Sequence, residues 1–361
     1  MRSRTRRRRA QSRLGPGLRR CLPALPRVVS RSPRGDVMEP VRWGIVSTAD
    51  INRKLLAGAA ESPHVEVIAV GSRDLSRAQA FAAQHGIRRA YGSYDEVLAD
   101  PDVEAVYIPL PNTMHCEWSI RALEAGKHVL CEKPMSRHPA DVERAFDAAA
   151  RTGRHLAEAF MYRHHPQTAR LVELVRGGAV GELRLVRSVF SYALFDEANI
   201  RLRTDVEGGS LMDVGCYCVS GARLLAGEPE SVFGRAYTGP SGTDWVFTGS
   251  LRFADGVVAL FDCGTAMARR DELEAIGTEG SIFLDDPWHC LEPVIELRRR
   301  DAVERIEMER ANPYRLELEN LGAAVRGAAA PLLGRDDAVA QARVIEALFA
   351  SAESGKATTI G

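Results

Sequence analysis

Between Val41 and Phe160 the chain alternates short apolar runs with stretches of helical length, and this rhythm constrains the fold more than any other feature. Val41–Val46, Val65–Ser72, Ala105–Leu110, His128–Cys131 and His155–Phe160 read as strands. Asp50–Ala60, Leu75–His85, Tyr94–Leu98, Thr113–Ala125 and Pro139–Ala150 read as the helices between them. A parallel partner strand is reached only by a crossover over the sheet face, so strand, helix, strand in this order builds right-handed βαβ units and a parallel sheet. After Met161 the texture changes. Leu183–Phe195, Ser231–Thr238, Trp245–Phe253, Val257–Cys263, Leu273–Ile276, Ser281–Leu284 and Val294–Arg298 are longer runs with little helix between them. Asp255-Gly256 between two of them is a hairpin signal. The second half is therefore expected to be a largely antiparallel sheet, closed by helices near Tyr314–Arg326 and Asp336–Ala352. The expected division is 1–38, 39–160 and 161–361.

The neutral overall charge conceals an asymmetry. Residues 1–38 hold twelve Arg and one acid, Asp36, while 36 basic residues face 47 acidic ones from Glu39 onward. A body of net charge −11 is a poor partner for nucleic acid. The Arg-rich stretch, interleaved with Pro, Ser and Gly, predicts disorder. It reads either as a targeting segment or basic arm, or as sequence translated upstream of a start at Met38, and the second is expected. No run of about 18 apolar residues occurs, so no membrane span is expected. Seven Cys without a Cys-x-x-Cys spacing suggest reduced thiols in a cytoplasmic protein. Cys216-x-Cys218 lacks partners at ligand spacing, and no metal is expected.

Chemistry gathers at the expected strand ends. Gly44-Ile45-Val46-Ser47-Thr48-Ala49-Asp50-Ile51 stands where the first strand turns into the first helix, the place where backbone amides hold a dinucleotide pyrophosphate. Ser47 replaces the close-approach glycine and Ala49 the packing glycine of a Gly-x-x-Gly-x-Gly pattern. The motif alone is weak, and its βαβ setting supports it. Gly44, Ser47, Thr48, Ala49, Asp50 and Ile51 are the expected cofactor contacts here. Ser72 and Arg73 end the second strand with Asp74 behind them. An acid at this point suits a ribose 2′-hydroxyl and an Arg suits a 2′-phosphate, so NADP is expected over NAD, although Arg73 also reads as an ordinary solvated turn residue. Pro111, Asn112 and His115 follow the next strand and are candidate contacts to the ribose or nicotinamide region. Asn112 reads equally as a helix N-cap. Glu132-Lys133-Pro134 closes the last-but-one strand on the same edge. Tyr162 and Arg163 lie at the passage between the halves, where ligand crevices form. Gly208-Gly209 leads to Asp213 and Tyr217, four residues apart and so on one face of a helix.

Lys133 and Tyr217 are eighty-four residues apart. An ammonium about 4 Å from a phenol at an effective dielectric of ~20 would bring its pKa from ~10 toward ~7 as an upper limit, where a general acid or base works best.

Taken together these residues resemble the glucose–fructose oxidoreductase / inositol dehydrogenase (Gfo/Idh/MocA) family, over nearly all of Val41 to the C-terminus. Trp43-Gly44-Ile45-Val46-Ser47, Gly71-Ser72-Arg73-Asp74, Tyr91-Gly92-Ser93-Tyr94, Glu132-Lys133-Pro134 and Gly208-Gly209 through Asp213-x-Gly215-x-Tyr217 are most similar to its NADP branch, which contains dihydrodiol dehydrogenases and aldose 1-dehydrogenases acting on D-xylose. The resemblance implies an α/β fold: an N-terminal Rossmann domain, then a C-terminal α/β domain with an open, mostly antiparallel sheet that often forms a dimer face. It implies Lys133 beside nicotinamide and substrate, Tyr217 as proton donor or acceptor, and Asp213 orienting substrate or Lys133. Many family members carry His in place of Tyr217. The expected function is an NADP-dependent oxidoreductase acting on a sugar or polyol carbinol carbon, as an aldose 1-dehydrogenase, in a homodimer or higher homo-oligomer. A dihydrodiol dehydrogenase, a keto-sugar reductase and a catalytically silent NADP sensor are the alternatives. Specificity is expected around Arg163, Phe195 and a loop at 262–272.

Overall fold

The computed structural model describes residues 39–194, 196 and 198–360. The Arg-rich stretch 1–38 and Phe195 lie outside the described residues. Six strands form one parallel sheet: β1 (Val41–Val46), β2 (Val65–Gly71), β3 (Arg89–Tyr91), β4 (Ala105–Ile108), β5 (His128–Glu132) and β6 (Leu156–Ala159), in the order β3-β2-β1-β4-β5-β6. The crossovers are α1 (Asn52–Ala60), α2 (Leu75–His85), α3 (Tyr94–Ala99), α4 (His115–Glu124) and α5 (Pro139–Thr152). The order reverses between β1 and β4, so the crevice beyond their carboxyl ends is the topological switch point where open sheets of this kind bind ligands. β1, β2, β4 and β5 are largely buried, which is why they read as continuous apolar runs rather than alternating ones. The short strand β3 fell within an unassigned stretch of sequence, because three residues are too few to show a period.

A second sheet follows α6 (Pro166–Arg176). Its strands are β7 (Leu183–Ala193), β8 (Pro229–Thr238), β9 (Asp244–Phe253), β10 (Val258–Gly264), β11 (Ala266–Gly277), β12 (Ser281–Leu284), β13 (Val294–Arg299), β14 (Ala302–Glu307) and β15 (Thr358–Thr359). The order is β14-β13-β12-β11-β7-β10-β9-β8-β15, antiparallel except for the β7–β10 pair. The β9–β10 turn carries Asp255 at φ 62° and Gly256 at φ 79°, the backbone that Asp-Gly supplies in a tight hairpin. One face of the sheet packs on α7 (Cys216–Ala226) and α9 (Arg335–Ser354).

The chain returns to the first sheet through α8 (Pro313–Val325) and α9. Tyr314 and Arg315 approach α1 so closely at Gly58 that a Cβ there would lie 2.6 Å from the Arg315 nitrogen. Arg326 clamps Glu104 with two hydrogen bonds of 2.8 and 3.0 Å. These straps fix α8 and the chain after it to the first domain.

One acid is sealed inside this junction. Glu158 on β6 is 2% exposed, accepts the Met135 amide at 2.8 Å, and leaves its other oxygen unpartnered among the described residues. Burial pushes its pKa up to about 8. A carboxyl raised above its unfolded value stabilises the fold most fully at low pH and loses that contribution as pH climbs through the folded pKa. The thermal midpoint should therefore drop between about pH 6 and about pH 8.5 in the wild type. Glu158→Gln should flatten that drop, and equal slopes for the two proteins in thermal melts would count against it.

Candidate active site

A single cleft of about 1170 Å³ runs along the carboxyl edge of the first sheet and is roofed by the second domain. At one end the β1–α1 turn is held open by a strained serine. Ser47 sits at φ 151°, a region that favours glycine and costs other residues of order 1–3 kcal/mol. Its hydroxyl accepts the Ala49 amide at 3.2 Å and donates to the Pro109 carbonyl at 3.3 Å, while Asn52 Nδ2 donates to the Ser47 carbonyl at 2.9 Å. The amides of Thr48, Asp50 and Ile51 find no acceptor among the described residues, and no side chain caps α1. An uncapped helix N-terminus facing a cleft fits a pyrophosphate. Gly44 does not touch the cleft. It lies inside β1, where a Cβ would come 2.7 Å from Val97 of α3, so its role is helix-to-strand packing and the expected cofactor contact is corrected.

Ser72 and Arg73 line the cleft after β2, joined by Arg77, which the sequence reading passed over. Asp74 commits one oxygen to the N-cap of α2, accepting Ser76 N at 2.8 Å, Ser76 Oγ at 2.7 Å and Arg77 N at 3.3 Å. Two guanidinium groups line the cleft beside it, which suits a 2′-phosphate.

Pro111, Asn112 and His115 also line the cleft, but the last two have structural employment. Asn112 Nδ2 donates to the Glu207 carbonyl at 2.7 Å, tying the β4 loop to the second domain. The His115 ring lies between the carbonyls of Pro134 at 2.9 Å and Leu110 at 2.7 Å, and burial lowers its pKa to about 4. It is a clamp between two loops rather than the expected free ligand contact.

The chemical end of the cleft is built on Lys133. The Lys133-Pro134 peptide is cis. Lys133 Nζ donates to the Asp213 carbonyl at 2.7 Å and stands 3.6 Å from Asp213 Oδ1. Asp213 is not in a regular α-helix. Leu211–Gly215 is a π-helical turn leading into α7, an irregularity common at functional sites, and Asp213 and Tyr217 line the same cleft as their four-residue spacing predicts. The Asp213 carboxylate also accepts Arg201 Nε at 3.0 Å and the Tyr192 hydroxyl at 2.5 Å. Burial opposes its charge, but Arg201, Lys133 and Tyr192 hold its pKa below the usual carboxylate range. Burial likewise opposes the Lys133 ammonium, yet Cys216, Asp213 and Glu132 outweigh it and raise its pKa. Glu132 is pushed up by burial against the pull of Lys133 and accepts the Tyr107 hydroxyl at 2.5 Å.

Tyr217 is 5% exposed and lines the same cleft. Lys133 Nζ stands 4.9 Å from its ring centroid, over the face and not at the hydroxyl. The hydroxyl points to Met161 Sδ at 3.3 Å, and Phe160 and Phe190 meet the ring edge-on at 5.4 and 5.3 Å. Burial raises the phenol well above its ordinary pKa. The depression expected from a neighbouring ammonium is therefore corrected in sign.

Tyr162 and Arg163 do not reach the cleft. The Tyr162 hydroxyl donates to Ser220 Oγ at 2.7 Å, and Arg163 Nη1 lies 3.2 Å from the same oxygen and 3.5 Å from Asp337. Both were expected to hold substrate. They face α7 and α9 instead, because the short 3₁₀ turn Met161–His164 directs them backward. The expected loop at 262–272 is mostly strand, β10 and β11, from which Arg269 enters the cleft. Lys54, Tyr192, Arg201, Arg269 and His289 are cleft residues without a sequence motif. Lys54 has its pKa lowered by burial, then by Lys133 and Arg269.

Residues 41–160 match the model of the oxidoreductase family with an NAD-binding Rossmann fold, and residues 168–283 match the GFO/IDH/MocA C-terminal domain. The chain is 38% identical to a D-xylose 1-dehydrogenase (NADP⁺) of Haloferax volcanii, over 88% of this chain and 99% of that protein. It is 35% identical to a trans-1,2-dihydrobenzene-1,2-diol dehydrogenase of Bos taurus, over 71% and 78%. The crystal structure of a 3-ketoreductase from Actinomadura kijaniata in complex with NADP and TDP-benzene superposes with a TM-score of 0.82 at 31% identity, covering 87% of this chain and 98% of that one. The chain belongs to the GFO/IDH/MocA family of oxidoreductases.

Proposed function

We propose that this protein is an NADP-dependent sugar dehydrogenase that interconverts an aldose of the D-xylose type and its lactone at C1. One observation carries the reading: Lys133 and Tyr217 meet in one cleft, the amine 4.9 Å over the phenol ring. The Actinomadura ketoreductase has also been crystallised with a Lys→Ala or Lys→Glu change and with a Tyr→Phe change, and those two positions are separated by the same number of residues as Lys133 and Tyr217. The xylose dehydrogenase relative covers almost its full length.

The Thr48, Asp50 and Ile51 amides would hold the pyrophosphate and Arg73 with Arg77 the 2′-phosphate. NADP, when bound, supplies or accepts the hydride at the carbinol carbon. Everything else falls to side chains. Tyr217 is kept as a neutral phenol by its burial and stands ready to give its proton to the substrate oxygen in the reducing direction. In the oxidising direction it must take that proton as phenolate, and Lys133 over the ring face stabilises the anion. Asp213 fixes Lys133 from two sides and prevents it from swinging away. A second reading, a keto-sugar reductase, is favoured by the raised phenol, since a proton donor is the form that reduction needs. Among the described residues no helix is long and apolar enough to cross a membrane.

Tyr217→Phe should lower kcat/KM by about 10²–10⁴-fold while NADPH binding stays within about twofold of wild type. Wild-type turnover by this variant in an NADP-coupled panel of aldoses, polyols, diols and keto-sugars would reject the assignment. Arg73→Ala should weaken NADPH binding roughly tenfold or more, the size of one charge-assisted hydrogen bond, and leave NADH binding unchanged. The Arg73→Ala/Arg77→Ala pair should weaken it further, and fluorescence titration with both cofactors measures the difference. Equal losses for NADH and NADPH would place these arginines elsewhere.

A further inference from the structure

His289 lines the same cleft as Lys133 and Tyr217 and takes no part in the chemistry above. Its neighbour Trp288 is fully buried and donates its indole N–H to the Val189 carbonyl at 3.0 Å, which anchors the turn. Phe190 stands between the two functional rings, edge-on to Tyr217 at 5.3 Å and to His289 at 5.4 Å. The imidazole is thus fixed two aromatic steps from the phenol, in the same cleft. Its Nδ1 lies 2.6 Å from Asp271 Oδ2, and Asp271 is only 7% exposed. Asp286 comes within 3.9 Å of the imidazole, but its oxygens already accept the amides of His289, Leu291 and Glu292. The three side chains are close enough to hold a cation, within 4.8 Å of one another. Asp286 is committed to three backbone N–H donors and Asp271 Oδ2 to the imidazole, while Asp271 Oδ1 has no partner among the described residues; a hydrogen-bonded dyad fits better than a metal site.

When Nδ1–H donates to a carboxylate, Nε2 is left as a bare acceptor. We propose that His289 Nε2 accepts a hydrogen bond from a substrate hydroxyl on a carbon other than the reacting one, and that Asp271 is the positioning residue that fixes the tautomer. The inference rests on reading the cleft as a sugar site. A mostly buried acceptor of this kind, its side chain 21% exposed, discriminates when closed under substrate, because a substrate lacking the hydroxyl leaves it unpaired. Phe190 lines the cleft beside it with apolar surface.

The test uses the full chain with NADP and whichever aldoses the wild type turns over, together with their monodeoxy forms. His289→Leu should raise KM about tenfold with kcat changed less than about twofold and NADPH binding unchanged. His289→Gln, whose amide oxygen falls near the Nε2 position, should recover part of the loss. Asp271→Asn should behave like His289→Leu although the ring remains, because an amide donating to Nδ1 moves the proton to Nε2. On the monodeoxy sugar that lacks the recognised hydroxyl, wild type and variants should converge. Unchanged KM in the variants of an active enzyme, or a penalty undiminished on every monodeoxy sugar, would overturn the proposal. A readout free of substrate is the ¹⁵N spectrum of histidine-labelled enzyme with NADP, where His289 must show a protonated Nδ1 and a bare Nε2; a protonated Nε2 would overturn it as well. Failure of the wild type to turn over any sugar would refute the sugar reading itself, a result distinct from active variants with normal KM.

Discussion

The hydrogen bond from Lys133 Nζ to the Asp213 carbonyl, 2.7 Å long, joins the first residue after β5 to the π-helical turn of the second domain. Each side chain is about 13% exposed, so neither charge is well solvated. Removing one partner of a buried ion pair costs about 3–5 kcal/mol because the other is left alone. Here the charges are matched as a set. Lys133 and Arg201 face Asp213 and Glu132, and the Tyr192 and Tyr107 hydroxyls satisfy the remaining carboxylate oxygens. The set therefore holds the two domains in one relative position at the point where a substrate must sit, and the donors are oriented before anything binds.

The same matching explains why the Tyr217 phenol is raised and not depressed. A lone ammonium at short range would favour phenolate, but Lys133 is neutralised by its carboxylates and lies over the ring face. Little net field reaches the oxygen. Desolvation by Phe160, Phe190 and Trp288 then dominates. The phenol gains a fixed position and a defined protonation state from its aromatic surroundings, while the lysine contributes mainly when charge develops.

How much of this was legible in the sequence follows from how local each signal is. The parallel sheet shows in the alternation of apolar runs because each strand buries both faces. The Asp255-Gly256 hairpin shows because its backbone requires those residue types. Lys133, Asp213 and Tyr217 stand out because their motifs lie at strand and helix ends that topology brings to one edge. Arg201, Tyr192 and Arg269 do not, since each enters the cleft from a segment whose local pattern is ordinary and whose partner is distant in the chain. Tyr162 and Arg163 mislead for the converse reason: their place between the domains is right, but a single 3₁₀ turn sends both side chains to the back. The π-helical turn at Leu211–Gly215 is invisible to a reading that assumes 3.6 residues per turn.

The cofactor end shows the same economy in a different form. An acid directly after the β2 arginine would ordinarily weaken the argument for a 2′-phosphate, because a carboxylate repels it. Asp74 is engaged at the start of α2, where one of its oxygens accepts two amides and a hydroxyl, and Arg73 and Arg77 outnumber it in the cleft. Those hydrogen bonds lower its pKa, so it remains a carboxylate and stabilises the helix terminus electrostatically. A short Ser-Arg-Asp turn selects the phosphate with its arginine and begins the next helix with its acid.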